Sequence, residues 1–304
     1  MTSRPTPNPS HNGSHGNRPR LLAVGDNVVD VYPQQGVMYP GGNAVNVAVH
    51  AQRQGAQAAY LGAVGTDRAG EVVLGALRAE DIDTSHTRIV DGPNAAAQVQ
   101  VVDGNRVFAG GDVGVSVFEL SPDDLAAAAR FDVVHTGECS HIEDQLGELA
   151  RCSSRLSFDF SERPWDYVQQ YAAHASIAIS SAPHGDLAQA TRQVERLRAL
   201  GPGTAVVTLG AAGAVVLEET LTYRPAPPGR IVDTLGAGDA FIARMLIGLA
   251  RGEPIETLLS AATAYATGTC ASFGAFGHPS AISPVNNPAL TQPADRIPNE
   301  AQNS

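Results

Sequence analysis

Asp233-Thr234-Leu235-Gly236-Ala237-Gly238-Asp239-Ala240-Phe241 runs directly into an apolar stretch, Ile242 to Ala250, that stops at Arg251 and Gly252. The two glycines let the backbone come close to a ligand. Their N–H groups fall where a helix begins, so the turn can hold a phosphate. Asp239 then lies in the first helical turn. A carboxylate beside an anion-binding turn repels phosphate and serves mere binding badly, but it suits a base that removes the proton of an attacking hydroxyl. The same letters also fit an ordinary glycine turn whose aspartate complements the helix dipole. Gly-Ala-Gly further matches part of a dinucleotide pattern, although the third glycine of that pattern is missing.

Upstream of this turn, short β-prone runs alternate with alanine-rich stretches, the pattern of parallel strands buried between helices. The runs are Leu21–Val24, Ala59–Val64, Asp132–Thr136, Leu156–Phe160, Ser176–Ser180, Ala205–Leu209 and Ala214–Leu217. Helices are expected at Asn43–Gln54, Gly70–Glu80, Pro122–Ala129 behind the cap Ser121, Asp186–Leu200 and Ala237–Arg251, with Gly55, Gly201 and Gly252 as stops. The fold class is α/β, with three layers around a mostly parallel central sheet. Asn94–Gly111 instead alternates apolar and polar residues around a turn at Asp103-Gly104-Asn105 and reads as an antiparallel hairpin. Val28–Tyr39 carries β-formers around Pro33, too irregular for a central strand. Both are assigned to a small β lid, about 28–40 and 94–111, over a pocket at the carboxyl ends of the parallel strands. Residues 1–19 and 280–304 have too little apolar content to offset the entropy of ordering them and read as disordered tails, which leaves a domain of 20–279.

The 304 residues carry a net charge of -11, and all 20 basic residues are arginine. Nucleic acid or an anionic membrane would meet repulsion. With no lysine, a Walker-type phosphate loop, a protein-kinase fold, a Schiff-base aldolase and a pyridoxal-phosphate enzyme are excluded. Cys139, Cys152 and Cys270 are widely spaced and odd in number, against both a disulfide framework and a zinc site. The amino terminus lacks the apolar core of a signal peptide, and Ala240–Ala250 is too short to cross a bilayer. A soluble, cytoplasmic protein is expected.

Gly41-Gly42-Asn43-Ala44-Val45-Asn46-Val47-Ala48 sets two glycines before a helix whose Asn43 and Asn46 lie one turn apart on one face. Amides donate and accept, as sugar hydroxyls require, and Asp30, beyond the first strand, adds an acceptor. Alternatively, Asn43 caps the helix and Asn46 is tolerated inside it. Glu138, just past the strand Asp132–Thr136, and Asp159, near the end of the next strand, are further candidates for ligand contact. His135, His141, His174 and His184 lack metal-ligand spacing and read as satisfied or exposed histidines.

With these strings in view, the chain resembles the ribokinase-like PfkB carbohydrate kinases across nearly all of 20–279. The resemblance rests on Gly41 to Gly70, with Gly55, Gly62, Gly65 and Asp67 in rhythm, on Thr208-Leu209-Gly210, and on Asp233 to Asp239. Within the family, Gly25 to Pro33, Gly41 to Val49, Arg106-Val107-Phe108, Phe158-Asp159-Phe160-Ser161 and Ser181-Ala182-Pro183 are most similar to the fructoselysine 6-kinase branch.

The resemblance implies a ribokinase-like fold and transfer of the ATP γ-phosphoryl group to a primary hydroxyl, with the 6-hydroxyl of fructoselysine or a related fructosamine as acceptor. It implies Asp239 as general base, with Gly236, Ala237 and Gly238 as anion hole. Asp30, Gly42, Asn43 and Asn46 would face the sugar, and Thr208 and Gly210 the nucleotide. Mg2+ is implied beside ATP as co-substrate, and a monovalent cation is left open. The Asn-x-x-Glu string by which many members organise magnesium is replaced by Ser180-Ser181-Ala182-Pro183-His184-Gly185-Asp186, where Asp186 is the metal-side candidate. A homodimer paired through the lid is a further expectation. Two alternatives stand: another PfkB sugar or nucleoside kinase, and a non-catalytic sugar-binding regulatory protein.

Overall fold

A computed structural model describes residues 18–102, 105–182 and 184–282. In chain order the elements are β1 (Arg20–Val24), β2 (Val28–Tyr32), β3 (Val37–Gly41), α1 (Asn43–Arg53), β4 (Gln57–Leu61), β5 (Ala63–Gly65), α2 (Arg68–Ala79), β6 (Arg88–Val90), β7 (Ala96–Val102), β8 (Asn105–Asp112), α3 (Pro122–Ala128) and β9 (Val133–Gly137). They continue with α4 (Leu146–Cys152), β10 (Leu156–Asp159), α5 (Trp165–Tyr171), β11 (Ile177–Ser181), α6 (Leu187–Ala199), β12 (Thr204–Thr208), β13 (Ala214–Leu217), β14 (Leu221–Arg224), α7 (Ala237–Arg251), α8 (Ile255–Thr269) and β15 (Ser280–Ala281).

The main sheet has the order β14-β13-β12-β11-β10-β9-β1-β4, parallel from β4 to β12 and antiparallel at β12–β13 and β13–β14. Its inner strands are mostly apolar because both faces are covered. Within β1, Leu21 and Ala23 enter a core with residues of α1, α2, α7 and α8, whereas Leu22 and Val24 enter a second core with residues of α3, α4, α5 and α6. These are the three expected layers. Capping follows the local chemistry: Ser121 and Asp124 form a reciprocal capping box on α3, and Gly252, in the left-handed region at φ 69, ends α7.

Both irregular segments join one five-stranded sheet, β15-β3-β2-β7-β8, with β2–β3 and β7–β8 antiparallel and β2–β7 parallel. The turn residues Asp103 and Gly104 lie outside the described residues.

The structure departs from the sequence reading in several places. Ala59–Val64 is not one strand, because the chain leaves the main sheet at Gly62, and β5 pairs with β6 instead. A Cβ at Gly62 would lie 2.1 Å from the Tyr60 hydroxyl, so the bend is packed as well as turned. The short helices α4 and α5, strand β14 and helix α8 were not anticipated. α8 is rich in Thr and Ser and owes its helix to tertiary burial of Leu258, Leu259 and Ala262.

The domain boundaries also move outward. Ser280 and Ala281 pair with Met38 and Val37, and the Ile282 N–H donates to Gly36 O, so the ordered chain runs past Pro279. At the other end Arg18 donates to Gly55 O and Ala56 O. The rest of both expected tails lies outside the described residues. Among the described residues, no helix is long and apolar enough to cross a membrane.

Candidate active site

The chain leaves β1 toward β4 on one side and returns later as β9 on the other. The crevice at the carboxyl ends of β1 and β9 is therefore a topological switch point, where open α/β sheets bind ligands. Asp26 follows β1 directly, Asn43 and Asn46 come from the first turn of α1, and Asp239 reaches over from α7. Gly42 makes this convergence possible. Its φ of 104 is in the region that favours glycine, and a Cβ there would lie 2.7 Å from Asn27 Cα. With the backbones this close, Asp26 accepts the N–H of Asn43 at 2.8 Å and of Ala44 at 3.2 Å, and so caps α1 from outside the helix.

Asp239 is held on both oxygens. Asn43 Nδ2 donates to Oδ1 at 2.8 Å, and Asn46 Nδ2 donates to Oδ2 at 2.6 Å. Asn43 Nδ2 also donates to Asp159 Oδ2 at 3.0 Å, and Asn43 Oδ1 lies 3.0 Å from His135 Nε2. Three carboxylates thus converge on one helix terminus. Removal from water pushes the Asp239 carboxyl up to about 7; the Asn46 amide opposes this, while Asp159 and Asp26 add to it. Asp159 is pushed up to about 6 by burial, against the hydrogen bond from the Ser161 N–H and with help from Glu138 and Asp26. Burial also raises Asp26, opposed by the backbone N–H groups of Ala44 and Asn43. A carboxyl that titrates near neutrality is matched to proton abstraction at neutral pH.

The turn before α7 faces the same crevice. Gly236 sits at φ 70, and a Cβ there would lie 2.5 Å from that of Ala275. Gly238 by contrast has nothing within 4 Å of a built Cβ, which leaves open space above the helix start. The N–H groups of Gly238 and Asp239 are among those that an α-helix cannot bond internally, so an anion above Gly238 meets donors and the positive end of the dipole. Asp233 anchors the turn by accepting from Leu235 N at 2.9 Å, Gly274 N at 3.0 Å and the Tyr32 hydroxyl at 2.8 Å.

Asp239 and Leu235 line a pocket of about 370 Å³ with Asp26, Asp30, Gly42, Asn43 and Asn46, closed on one side by Ala95–Ala97 and Asp112 of the small sheet. Asn27 Oδ1 and Asn46 Oδ1 are buried in its wall without a hydrogen-bond partner. The polar groups of the wall are mostly acceptors, and it contains no arginine among the described residues. Asp30, Gly42, Asn43, Asn46 and Asp239 are thus brought together, but the two amide hydrogens of Asn43 both point to carboxylates rather than into free space.

Thr208 and Gly210 lie apart from this pocket, at the end of β12, where Thr208 Oγ1 is 2.9 Å from Ser181 Oγ on β11. Ser181 lines a second cavity of about 510 Å³, together with Arg163, Trp165, His184, Arg192 and Arg196. The Arg196 guanidinium lies 3.9 Å from the centre of the Trp165 ring. Asp186 is the N-cap of α6 and accepts from Gln189 N at 2.7 Å, so its carboxylate is engaged at the helix end. Sequence reasoning missed Asp26 as a site residue and gave His135 no role. The sign for Asp26 was its place just past the first strand; for His135, buried among apolar neighbours, there was none.

A model of the pfkB family carbohydrate kinases matches residues 18–280. Fructoselysine 6-kinase of Escherichia coli is 37% identical over 260 residues, covering 84% of this chain and 99% of that protein. Fructosamine kinase FrlD of Bacillus subtilis is 34% identical over 266 residues, covering 85% and 93%. Among solved structures, Arabidopsis thaliana ribokinase complexed with ribose and ATP matches with a TM-score of 0.75 at 20% identity, covering 85% of this chain and 95% of that one. Aminoimidazole riboside kinase from Salmonella enterica matches with a TM-score of 0.70 at 24% identity, covering 84% and 95%.

Proposed function

Because the chain belongs to the pfkB family of carbohydrate kinases, it is a phosphotransferase with an alcohol group as acceptor, and we propose that the alcohol is the 6-hydroxyl of fructoselysine or a related fructosamine. The observation that carries the assignment of roles is Asp239. It is fixed by two amides, titrates near neutrality and stands in the first turn of the helix whose N–H groups face the crevice.

The acceptor hydroxyl binds against Asp239, which takes its proton as the oxygen attacks the γ-phosphorus. The bond between that phosphorus and the β–γ bridging oxygen breaks, and ADP departs. Gly236, Ala237 and Gly238 present backbone donors to the charge that develops on the transferring group, the Ala237 N–H on leaving Thr234 O, to which it donates at 3.3 Å. Asp30, Asn46 and the other acceptors of the wall face a substrate whose hydroxyls and ammonium are donors. An acceptor that already carried a phosphate would face carboxylates with no arginine among the described residues of the wall to balance them. The identity of the relatives supports a fructosamine over a plain sugar.

The nucleotide is read at the ends of β11 and β12, beside Thr208 and Gly210, where Arg192 and Arg196 of the larger cavity offer positive charge in a chain without lysine. Among the described residues no group of three His, Cys, Asp or Glu side chains could hold a metal ion. Magnesium therefore fits as part of the substrate MgATP, held by the phosphates and water with at most one or two carboxylates. The lid reading of the small sheet and a homodimer paired through the outer edge of β8 draw support from β8 being the last strand of that sheet; light scattering that reports only monomer removes the dimer.

The test is ADP release with fructoselysine, fructose, ribose and adenosine as acceptors. The highest kcat/KM is expected for fructoselysine. Equal or better values for the others would reassign the chain to a different sugar or nucleoside, and silence with all of them would favour a sugar-binding regulator.

A further inference from the structure

The amide of Asn43 has one allowed orientation. Its two hydrogens go to Asp159 Oδ2 and Asp239 Oδ1, and its oxygen accepts from His135 Nε2. That last bond requires the Nε2–H tautomer, which leaves Nδ1 to accept from the Ser157 hydroxyl at 3.1 Å. His135 is completely buried, and burial drives its imidazole down to about 3, so it is neutral and a single tautomer serves both contacts. Rotating the Asn43 amide by half a turn would set its oxygen against two carboxylates and would also force His135 into the other tautomer. A chain of hydrogen bonds thus runs from Ser157 on β10 through His135 on β9 and Asn43 on α1 to Asp239 on α7.

We propose that His135 and Asp159 are positioning residues that act through Asn43: together they fix the one amide orientation that holds Asp239 against the acceptor hydroxyl. The proposal rests on the reading of Asp239 as the base. Neither residue lines the pocket that holds Asp239, so neither is assigned to substrate contact. Asp159 has a second effect through its charge. The ionisable groups acting on Asp239 are Asp159 and Asp26, with Asn46 and Asn43 as donors; Glu138, itself paired with Arg163 at 2.8 Å, acts on Asp159. Burial is the main reason Asp239 holds its proton, and removing the Asp159 charge takes away one of the two neighbouring charges that add to it.

The experiment compares wild type with His135→Leu, His135→Gln and Asp159→Asn by two readouts. The first is a carboxyl-carbon NMR titration of protein labelled at the aspartate Cγ, with the Asp239 signal assigned by its loss in Asp239→Asn. The second is steady-state kinetics with fructoselysine and MgATP. In Asp159→Asn the Asp239 midpoint should move toward acid by about half a pH unit or more, and the acid limb of kcat should follow it. His135→Leu should lose about tenfold or more in kcat with little change in the sugar KM. His135→Gln, whose amide can still donate to Asn43, should recover most of that loss. An Asp239 midpoint unmoved in Asp159→Asn overturns the proposal, as does wild-type kcat in His135→Leu. Equal impairment of the Leu and Gln variants, with lowered melting temperatures, overturns it in favour of simple packing. The titration needs no turnover, so an enzyme silent with fructoselysine defeats the substrate reading while the relay is still decided.

Discussion

Tyr32 and Asp233 stand 201 residues apart in the chain, yet the tyrosine hydroxyl donates to Asp233 Oδ2 at 2.8 Å. One residue belongs to the small sheet and the other anchors the turn before α7, so the sheet and the turn are tied by a buried bond. Tyr32→Phe keeps the ring and leaves Asp233 short of one donor. A hydrogen bond to a charged group contributes about 1.5–3 kcal/mol, so a melting-temperature drop of several degrees is expected by calorimetry, together with a fall in kcat larger than any change in the sugar KM. An unchanged melting temperature would show that the bond carries no load.

Asp239→Asn keeps the size of the side chain and removes the carboxylate proposed as the base. Turnover should fall by about 10²- to 10⁴-fold, while sugar affinity measured by calorimetry changes far less. Retention of more than about a tenth of wild-type kcat would take the base role from Asp239.

The pH profile follows from the direction of the Asp239 shift. A base works deprotonated, and this carboxyl is pushed up to about 7, so kcat/KM should be low on the acid side and rise through neutrality. Because Asp159 interacts with it, the limb reports the pair rather than one residue. Activity at pH 8 should exceed that at pH 6 by about tenfold. A flat profile between those values would contradict the assignment.

Arg192→Gln probes the larger cavity beside Ser181. If the nucleotide phosphates draw on its charge, the KM for MgATP should rise by roughly three- to tenfold while the sugar KM stays near the wild-type value. The opposite pattern, a change in the sugar KM alone, would move the nucleotide elsewhere.

Two truncations test the contribution of β15. A chain ending at Ile282 should melt like the full protein, whereas one ending at Pro279 loses the pairing of Ser280 and Ala281 with β3 and should melt lower. Equal melting of both would make β15 dispensable.

Strands buried on both faces and glycine-bounded helices were legible because their signals are local. β1, β9, β12 and β13 lie within one or two residues of where hydrophobic runs place them, and Gly252 ends α7 as expected. α8 escaped because its Thr and Ser residues are weak helix formers and the burial of Leu258, Leu259 and Ala262 that holds it is tertiary. In the site, Asp239 was legible from its glycines. Asn43 was legible as a polar residue at a helix start, but its partners come from β9, β10 and α7, and no spacing within 43–46 encodes them. His135 looked like a satisfied histidine, which it is; what satisfies it could be seen only once β9 and α1 were side by side.

The absence of arginine from the described wall that holds Asp26, Asp30, Asp112 and Asp239 also bears on how a catalytic cycle ends. An acceptor enters as a donor-rich molecule and leaves carrying a dianion, and that new charge lies between the N–H groups of the turn before α7 and the carboxylates of the described wall. The described carboxylates that suit the substrate therefore weaken the hold of that turn on the product.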